Sequence, residues 1–158
     1  MAEYGDPAAY AGGCPIEAAV DADSFVEFQA DFGKSAVIGF ATVGGQTVAI
    51  AGVKGVLDAD SSAKLARQVR LADAFAIPVV SFVDCEGFTS VREASKVAHA
   101  YAEATTAKVT FITGSAYGAA YIALAGKGAN ADLSYAWAGA VISALKPEAC
   151  LLYTSRCV

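Results

Sequence analysis

The chain has 158 residues, a formal net charge of −5 and an apolar fraction of 56%. This length is enough for one domain with its own hydrophobic core. The acidic balance and the lack of a basic run argue against nucleic acid as a partner, because phosphate binding needs clustered lysine and arginine.

Metal, secretion and membrane signals are weak in this sequence. Four cysteines occur without a C-x-x-C pair, and with His99 as the one histidine a zinc site is not expected. The first 13 residues do not read as a secretory signal. The apolar stretch Val109–Gly126 is interrupted by Thr113–Ser115, which favours buried core over a membrane span. We therefore expect a reduced, cytoplasmic protein that binds no metal.

The first elements predict a hairpin. Asp21–Asp31 suits a short helix or an irregular segment. Ser35–Val43 and Gln46–Val53 are β-branched and apolar on both faces, and Gly44-Gly45 separates them. A glycine pair between two such runs is typical of a tight β-turn, so we expect a covered antiparallel pair of strands.

A helix follows the hairpin. Asp58 or Asp60 provides its N-cap, and Ala59–Ala76 carries an apolar stripe that we expect to be buried. The members of that stripe are Leu65, Val69, Ala72 and Ala76. Pro78 ends the helix, Val79–Val83 is a strand, and Asp84–Gly87 is a turn.

The remaining elements alternate between helix and strand. The buried face of the next helix consists of Ala94, Val97, Ala98, Tyr101 and Thr105. After it we predict a strand over Lys108–Thr113, which Gly114-Ser115 ends. A small-residue helix over Ala116–Ala125 follows and is closed by Gly126–Gly128. Two short strands, Leu133–Trp137 and Ala140–Leu145, complete the predicted order. This alternation predicts an α/β domain with mostly parallel pairing.

Residues 150–158, CLLYTSRCV, differ in character from the rest. They resemble the translation of a mosaic-end adapter joined to its reverse complement, although a natural basic C-terminus is the alternative. Such a scar is excluded from fold reasoning. We therefore expect an irregular lead over 1–15, the domain over 16–149, and a foreign tail over 150–158, with the natural sequence continuing elsewhere.

The segment most suggestive of chemistry is Thr113–Tyr121, TGSAYGAAY. A strand ends there and a helix begins, which leaves backbone N–H groups without partners at a partly positive helix start. Gly118, Ala119 and Ala120 leave room for a ligand oxygen, so the site could hold an enolate or another oxyanion. Close helix packing by small residues is the competing interpretation.

A second region is Asp84–Phe88, at the carboxyl end of a predicted parallel strand, where α/β proteins often build sites. An ordinary acidic turn explains it equally well. Cys85 has no base partner in the sequence and is interpreted as a buried, inert thiol. His99 falls on a polar helix face and is expected to be solvated.

Several ordered segments together resemble the C-terminal domain of biotin-dependent acyl-CoA carboxyltransferases. That family includes the β-type subunits of acetyl- and propionyl-CoA carboxylase and the α-type subunit of methylmalonyl-CoA decarboxylase. The resemblance covers about Ile16–Ala149. Its segments are Ser35–Gly45, Leu57-Asp58, Lys64–Phe75, Ile77–Phe88, Ala100–Thr105, Lys108–Thr113, Tyr117–Tyr121, Ala131-Asp132 and Tyr135–Trp137.

The resemblance implies an α/β fold of the ClpP/crotonase type, with repeated β-β-α units, here truncated at its C-terminal end. It also implies transfer of a carboxyl group between carboxybiotin and the α-carbon of a short-chain acyl-CoA, such as propionyl-CoA or methylmalonyl-CoA. The amides of Ala119 and Ala120 would form an oxyanion hole. In this family, the position that Ile122 occupies contributes to the selection of the acyl chain. The further positions implied for biotin or substrate contacts are Gly87, Phe88, Tyr117 and Gly118.

The same resemblance implies partners. Biotin would arrive on a separate carrier protein or domain, acyl-CoA would be the substrate, and a missing N-terminal carboxyltransferase half would bind most of the CoA. Because that half is missing, this chain by itself is expected to be inactive, and the family's multi-subunit assemblies imply a homo-oligomer. Two departures from the family pattern are Ala119, where glycine is usual, and Glu86, where proline is usual.

Three alternatives remain open from the sequence. One is a sodium-linked acyl-CoA decarboxylase subunit that runs the same chemistry in reverse. Another is a non-catalytic crotonase-like scaffold, which is expected if the Ala119 and Ala120 N–H groups are consumed by helix hydrogen bonds and closed to solvent. The weakest is a hydratase or isomerase, for which Glu86 is the only plausible catalytic acid.

Overall fold

A computed structural model describes residues 16–126 and 130–146 of the chain. Expectations for 1–15, for the turn beyond Gly126 and for the tail from 147 onward lie outside these residues. The elements in chain order are α1 (Ile16–Ala19), β1 (Val26–Phe28), β2 (Ala36–Val43), β3 (Gln46–Leu57), α2 (Ala59–Ala74), β4 (Val79–Phe88), α3 (Val91–Glu103), β5 (Lys108–Tyr117), α4 (Ala119–Leu124), β6 (Leu133–Ala136) and β7 (Val141–Ser143).

The strands form one mixed sheet in the order β1-β2-β3-β4-β5-β6, with β7 also paired to β5. The pairs β1–β2 and β2–β3 are antiparallel. The other four pairs are parallel. The structure therefore confirms the predicted α/β class and its mostly parallel pairing.

The hairpin between β2 and β3 is confirmed. Gly44 and Gly45 have φ angles of 58° and 79°, the left-handed region that a tight hairpin turn requires. The Asp21 carboxylate accepts hydrogen bonds from the N–H groups of Gly44 and Gly45, each at 2.9 Å. These bonds, with that of Gly45 the strongest, hold the pKa of Asp21 below its ordinary value.

Helix α2 begins where it was predicted to begin and ends slightly earlier. The Asp58 carboxylate caps it by accepting from the Ser61 N–H at 2.8 Å. The helix ends at Ala74 because Ala76 adopts a φ of 53° and the Ile77 N–H turns back to the Ala72 carbonyl at 2.9 Å. Ala76 is exposed, so its prediction as a buried stripe residue was wrong.

Strand β4 corrects the predicted turn at Asp84–Gly87. The strand continues to Phe88 because it stays paired with β3, where Gly87 and Phe88 lie opposite Val56 and Leu57, while its pairing with β5 ends at Cys85 opposite Ala116. A register shift of one residue lets the pairing with β3 continue beyond Gly55. The polar and glycine residues at this point therefore do not end the strand.

Other boundaries also differ from the predictions. Gly114-Ser115 does not end β5, and α4 begins at Ala119 instead of Ala116. The segment predicted as helical or irregular contains the short edge strand β1, which pairs with Ile38–Phe40. Thr105 lies beyond α3 and is exposed, so it does not belong to the buried face.

The core has one cluster on each face of the sheet. The larger cluster contains side chains from α2, α3 and α4, and the smaller one lies around Ile16 on the other face. Across the smaller cluster, Phe82, Phe111 and Tyr135 are direct neighbours on β4, β5 and β6. Their rings stack at centroid distances of 5.6 and 5.4 Å, which ties three parallel strands together.

Candidate oxyanion site

The candidate site lies where β4 and β5 end on the same edge of the sheet. Cys85 pairs with Ala116, so two residues further on Gly87 and Gly118 reach that edge together. Gly87 and Phe88 close β4, while Tyr117 is the last residue of β5. The predicted site residues from the two segments therefore come to one edge, which is the edge that parallel α/β sheets use for ligands.

The path of β5 to this edge contains a large bulge. Val83 pairs with Ile112, but Cys85 pairs with Ala116, so three residues of β5 lie opposite Asp84 alone. Below the bulge β5 pairs with β6, and from Ser115 onward it pairs with β7. The bulge is therefore the point at which β5 exchanges one neighbour for another.

Gly118 connects β5 to α4 in a conformation that favours glycine. Its φ and ψ are 47° and −113°. Its N–H donates to the Ser143 carbonyl at 2.9 Å, and a Cβ at this position would lie 2.8 Å from the Ala144 carbonyl oxygen. Gly118 is thus held by the end of β7, and a larger residue would push the start of α4 away from it.

The first amides of α4 are without partners within residues 16–126 and 130–146. The Ile122 N–H donates to the Gly118 carbonyl, while the N–H groups of Ala119 and Ala120 have no acceptor, and no side chain caps this helix. Ala119 is exposed and Ala120 is fully buried. An unpaired buried amide is costly, so such donors are often kept for a ligand.

Ile122 lies beyond the two amides on the same helix, and its side chain is 64% exposed. Tyr121 beside it is half-buried against the larger core cluster. An apolar side chain presented to solvent next to unpaired amides could contact a substrate without disturbing the core.

Three other predictions concern Cys85 and Glu86, near this edge, and His99 on α3. Cys85 is buried, and burial raises the pKa of its thiol to about 11, with the Sγ donating to the Gly87 carbonyl at 3.3 Å. The structure therefore confirms a buried thiol unsuited to nucleophilic attack at neutral pH.

His99 is exposed near Glu103, as expected. Glu86 is exposed and forms an ion pair with Lys146, so its carboxylate is not an unpaired group of the kind that a hydratase or isomerase would use as its catalytic acid.

Sequence reasoning missed the contribution of the chain around β7. Ser143 and Ala144 fix Gly118, and Lys146 reaches Glu86 from the same segment. Nothing in a single sequence indicates which carbonyl a distant strand will present. The one available signal was Gly118, since a glycine between strand and helix often marks a close approach of two backbones.

The sequence matches the family model described as "Carboxyl transferase domain" over residues 8–155. The chain belongs to this family. Among its relatives, the mitochondrial propionyl-CoA carboxylase beta chain of Rattus norvegicus is 41% identical over 144 residues, covering 82% of this chain and 27% of that protein. The putative propionyl-CoA carboxylase beta chain of Bacillus subtilis is 40% identical over 154 residues, covering 87% and 30%.

Solved structures agree with this membership. Transcarboxylase 12S, with methylmalonyl-coenzyme A and methylmalonic acid bound, superposes with a TM-score of 0.84 at 33% identity, covering 89% of this chain and 30% of that one. The beta subunit of P. aeruginosa geranyl-CoA carboxylase gives a TM-score of 0.78 at 22% identity, covering 87% and 30%, and supports the fold alone. The carboxyltransferase domain described here thus has the predicted crotonase-like fold.

The carboxyltransferase chain spans less than a third of the length of these relatives. Within the residues that the structure describes, no helix combines the length and apolar character needed to cross a bilayer.

Proposed function

We propose that the chain forms the biotin-facing side of an acyl-CoA carboxyltransferase site, in a propionyl-CoA carboxylase-type enzyme. The observation that carries this proposal is the pair of amides at Ala119 and Ala120, which lack acceptors among the described residues at the start of α4. They lie where the family resemblance requires an oxyanion hole. Ala119 is exposed and its amide has no acceptor among the described residues, which argues against the non-catalytic scaffold, whereas the full burial of Ala120 meets one of the two conditions for that scaffold.

The departure at Ala119 is compatible with the proposed oxyanion hole. Both alanines lie within α4, and neither is among the residues with positive φ. Alanine is therefore unstrained at both positions, and each residue keeps its N–H. The strained conformation falls on Gly118, where glycine is present.

The residues present fit a carbonyl oxygen. Carboxybiotin would supply the carboxyl group and, through its ring nitrogen, the proton acceptor. The chain would supply two preorganised N–H donors that stabilise negative charge as it develops on that oxygen. Tyr117, Gly118, Gly87 and Phe88 would border the same space, and Ile122 would contact the acyl chain.

The whole enzyme requires partners that we also propose. A biotin carrier protein and an N-terminal carboxyltransferase half would complete the site, with the acyl-CoA bound mainly by that half. A homo-oligomer is expected, since transcarboxylase 12S is described as a hexamer. The relatives named as carboxylases favour the carboxylation direction over that of a sodium-linked decarboxylase. We also propose a cytoplasmic location, as expected in the sequence analysis.

A chimaera tests the proposal. The aligned segment of the Bacillus subtilis beta chain would be replaced by residues 16–146 of this chain, and transfer of a radiolabelled carboxyl group from methylmalonyl-CoA to free biotin would be measured. We expect transfer by the chimaera and none by the isolated 158-residue chain. An assembled chimaera that transfers no carboxyl group from methylmalonyl-CoA or malonyl-CoA would contradict the catalytic role.

A further inference from the structure

We propose that Asp84 is a positioning residue for the candidate oxyanion site, acting through the bulge in β5. This inference rests on the proposed function for its catalytic meaning. Its structural content, that Asp84 determines where the Ala119 and Ala120 amides lie, can be tested separately. Sequence analysis placed Asp84 in a predicted turn within the second candidate region, Asp84–Phe88, and gave the residue itself no role.

The Asp84 carboxylate fills the space that the bulge opens. Its Oδ1 accepts a hydrogen bond from the Ser115 N–H at 2.7 Å. A Cβ on Gly114 would lie 2.3 Å from the same oxygen, so only glycine lets the carboxylate approach this closely. A hydrogen bond to a carboxylate is stronger than one to a neutral acceptor, and the side chain is half-buried. We call Asp84, Gly114 and Ser115 the bulge clamp.

The bulge clamp controls the residues that lead into α4. Ser115 is the first residue of β5 to pair with β7, opposite Val141. From there the pairing runs without interruption to Tyr117 opposite Ser143, and the Gly118 N–H donates to the Ser143 carbonyl. Fixing the Ser115 amide therefore fixes the register of three residues that end directly at Gly118.

This path makes Asp84 different from an ordinary bulge residue. A one-residue slip at Ser115 would place another residue opposite Ser143 and would turn each side chain to the opposite face. The Ala119 and Ala120 amides would move with it, since only Gly118 separates them from the strand. Misplacing a donor by about 1 Å is enough to lower a reaction rate strongly.

The chain contains a matched control at the other end of β5. The Asp132 carboxylate accepts from the Lys108 N–H, also at 2.7 Å. This bond has the same chemistry but lies at the amino end of the strand, away from the switch between β6 and β7. Asp84→Ala and Asp132→Ala each remove one carboxylate–amide bond from β5, so they should have similar effects on stability and different effects on α4.

The first test uses amide NMR spectra and hydrogen exchange of the 158-residue chain. Asp84→Ala should raise the exchange rate of the Ser115 amide by about tenfold or more and shift the Ala119 and Ala120 resonances. Asp84→Asn keeps an oxygen acceptor of the same size and should restore part of the native spectrum. Asp132→Ala should change Lys108 and leave Ala119 and Ala120 unchanged. If Asp84→Ala also leaves these two amides unchanged, the positioning role is overturned.

The second test uses the chimaera described above. Asp84→Ala should lower kcat about tenfold with KM for acyl-CoA nearly unchanged, because the amides act mainly in the transition state. Asp84→Asn should recover part of kcat, and Asp132→Ala should keep it. If the NMR response appears while the unmutated chimaera is inactive, the proposed function fails and the positioning of α4 stands. If the chimaera is active and Asp84→Ala keeps full kcat, the catalytic meaning is overturned.

Discussion

The hydroxyl groups of Ser81 and Tyr101 lie 2.8 Å apart between β4 and α3. Both side chains are buried, and burial raises the pKa of Tyr101 to about 12, so the phenol stays protonated at physiological pH. This bond is a specific polar contact in the apolar interface between α3 and the sheet.

Tyr101→Phe should lower the free energy of unfolding by about 1–3 kcal/mol, because the Ser81 hydroxyl would remain buried without a partner. Urea denaturation measures this change. The double variant Ser81→Ala/Tyr101→Phe removes both groups and should be more stable than the sum of the single variants predicts. A Tyr101→Phe variant as stable as the wild type would contradict this assignment.

Asp73 should contribute acid-sensitive stability. Its Oδ1 accepts from the N–H groups of Thr106 and Thr105 at 3.0 and 2.7 Å, and these bonds, that of Thr106 contributing most, lower the pKa of the carboxyl group. A carboxylate with a depressed folded pKa stabilises the fold above its unfolded pKa, which is about 3.9. This contribution is lost as the pH falls through the folded value.

The variant Asp73→Asn checks this pH dependence. We expect the wild type to be more stable than the variant at neutral pH, and the difference to shrink only below about pH 4. Denaturation curves at several pH values would show it. A difference that is constant down to about pH 2 would indicate that the charge on Asp73 has no part in it.

Ala119→Pro should remove one donor of the candidate oxyanion site with little damage to the helix. Ala119 is the first residue of α4, the position at which proline is tolerated because the missing N–H has no helical partner. In the chimaera we expect kcat to fall on the order of 10²-fold. Ala119→Ser keeps the amide and should retain activity. Full activity in the proline variant would exclude the Ala119 amide from the site.

Ile122 should affect acyl-chain preference more than turnover. Its exposed side chain touches little of the core, so Ile122→Ala should keep the stability of the fold. In the chimaera the ratio of kcat/KM for propionyl-CoA and acetyl-CoA should change by roughly 10-fold or less, the range expected for one or two methylene contacts. An unchanged ratio would remove Ile122 from the acyl-chain contacts.

The sequence predicted those elements whose signals are local. The hairpin followed from Gly44-Gly45, and the start of α2 followed from Asp58, because turn and capping chemistry act within a few residues. The ends of β4 and β5 were mispredicted for the opposite reason. Gly114 breaks an isolated strand, but here it admits the carboxylate of Asp84, which lies thirty residues earlier in the chain.

The candidate site shows the same division. A strand followed by small residues and a helix near Ala119 and Ala120 was predictable, although the predicted helix began three residues too early, at Ala116. The Ser143 carbonyl that holds Gly118 was not, because parallel neighbours are chosen by the packing of the whole sheet. The residue pattern alone left two interpretations of Thr113–Tyr121 open, an oxyanion hole and close packing of small residues. The family resemblance is what favoured the oxyanion hole.

The sharing of β5 between β6 and β7 has a consequence for how this domain can vary in evolution. Residues 137–140 connect the two strands beside the bulge, with the Trp137 N–H bonded to the Ile112 carbonyl and the Ala140 N–H bonded to the Trp137 carbonyl. An insertion or deletion there would shift β7 along β5 and displace Ser143 from Gly118. Homologues should therefore tolerate substitutions in this connection far better than changes in its length.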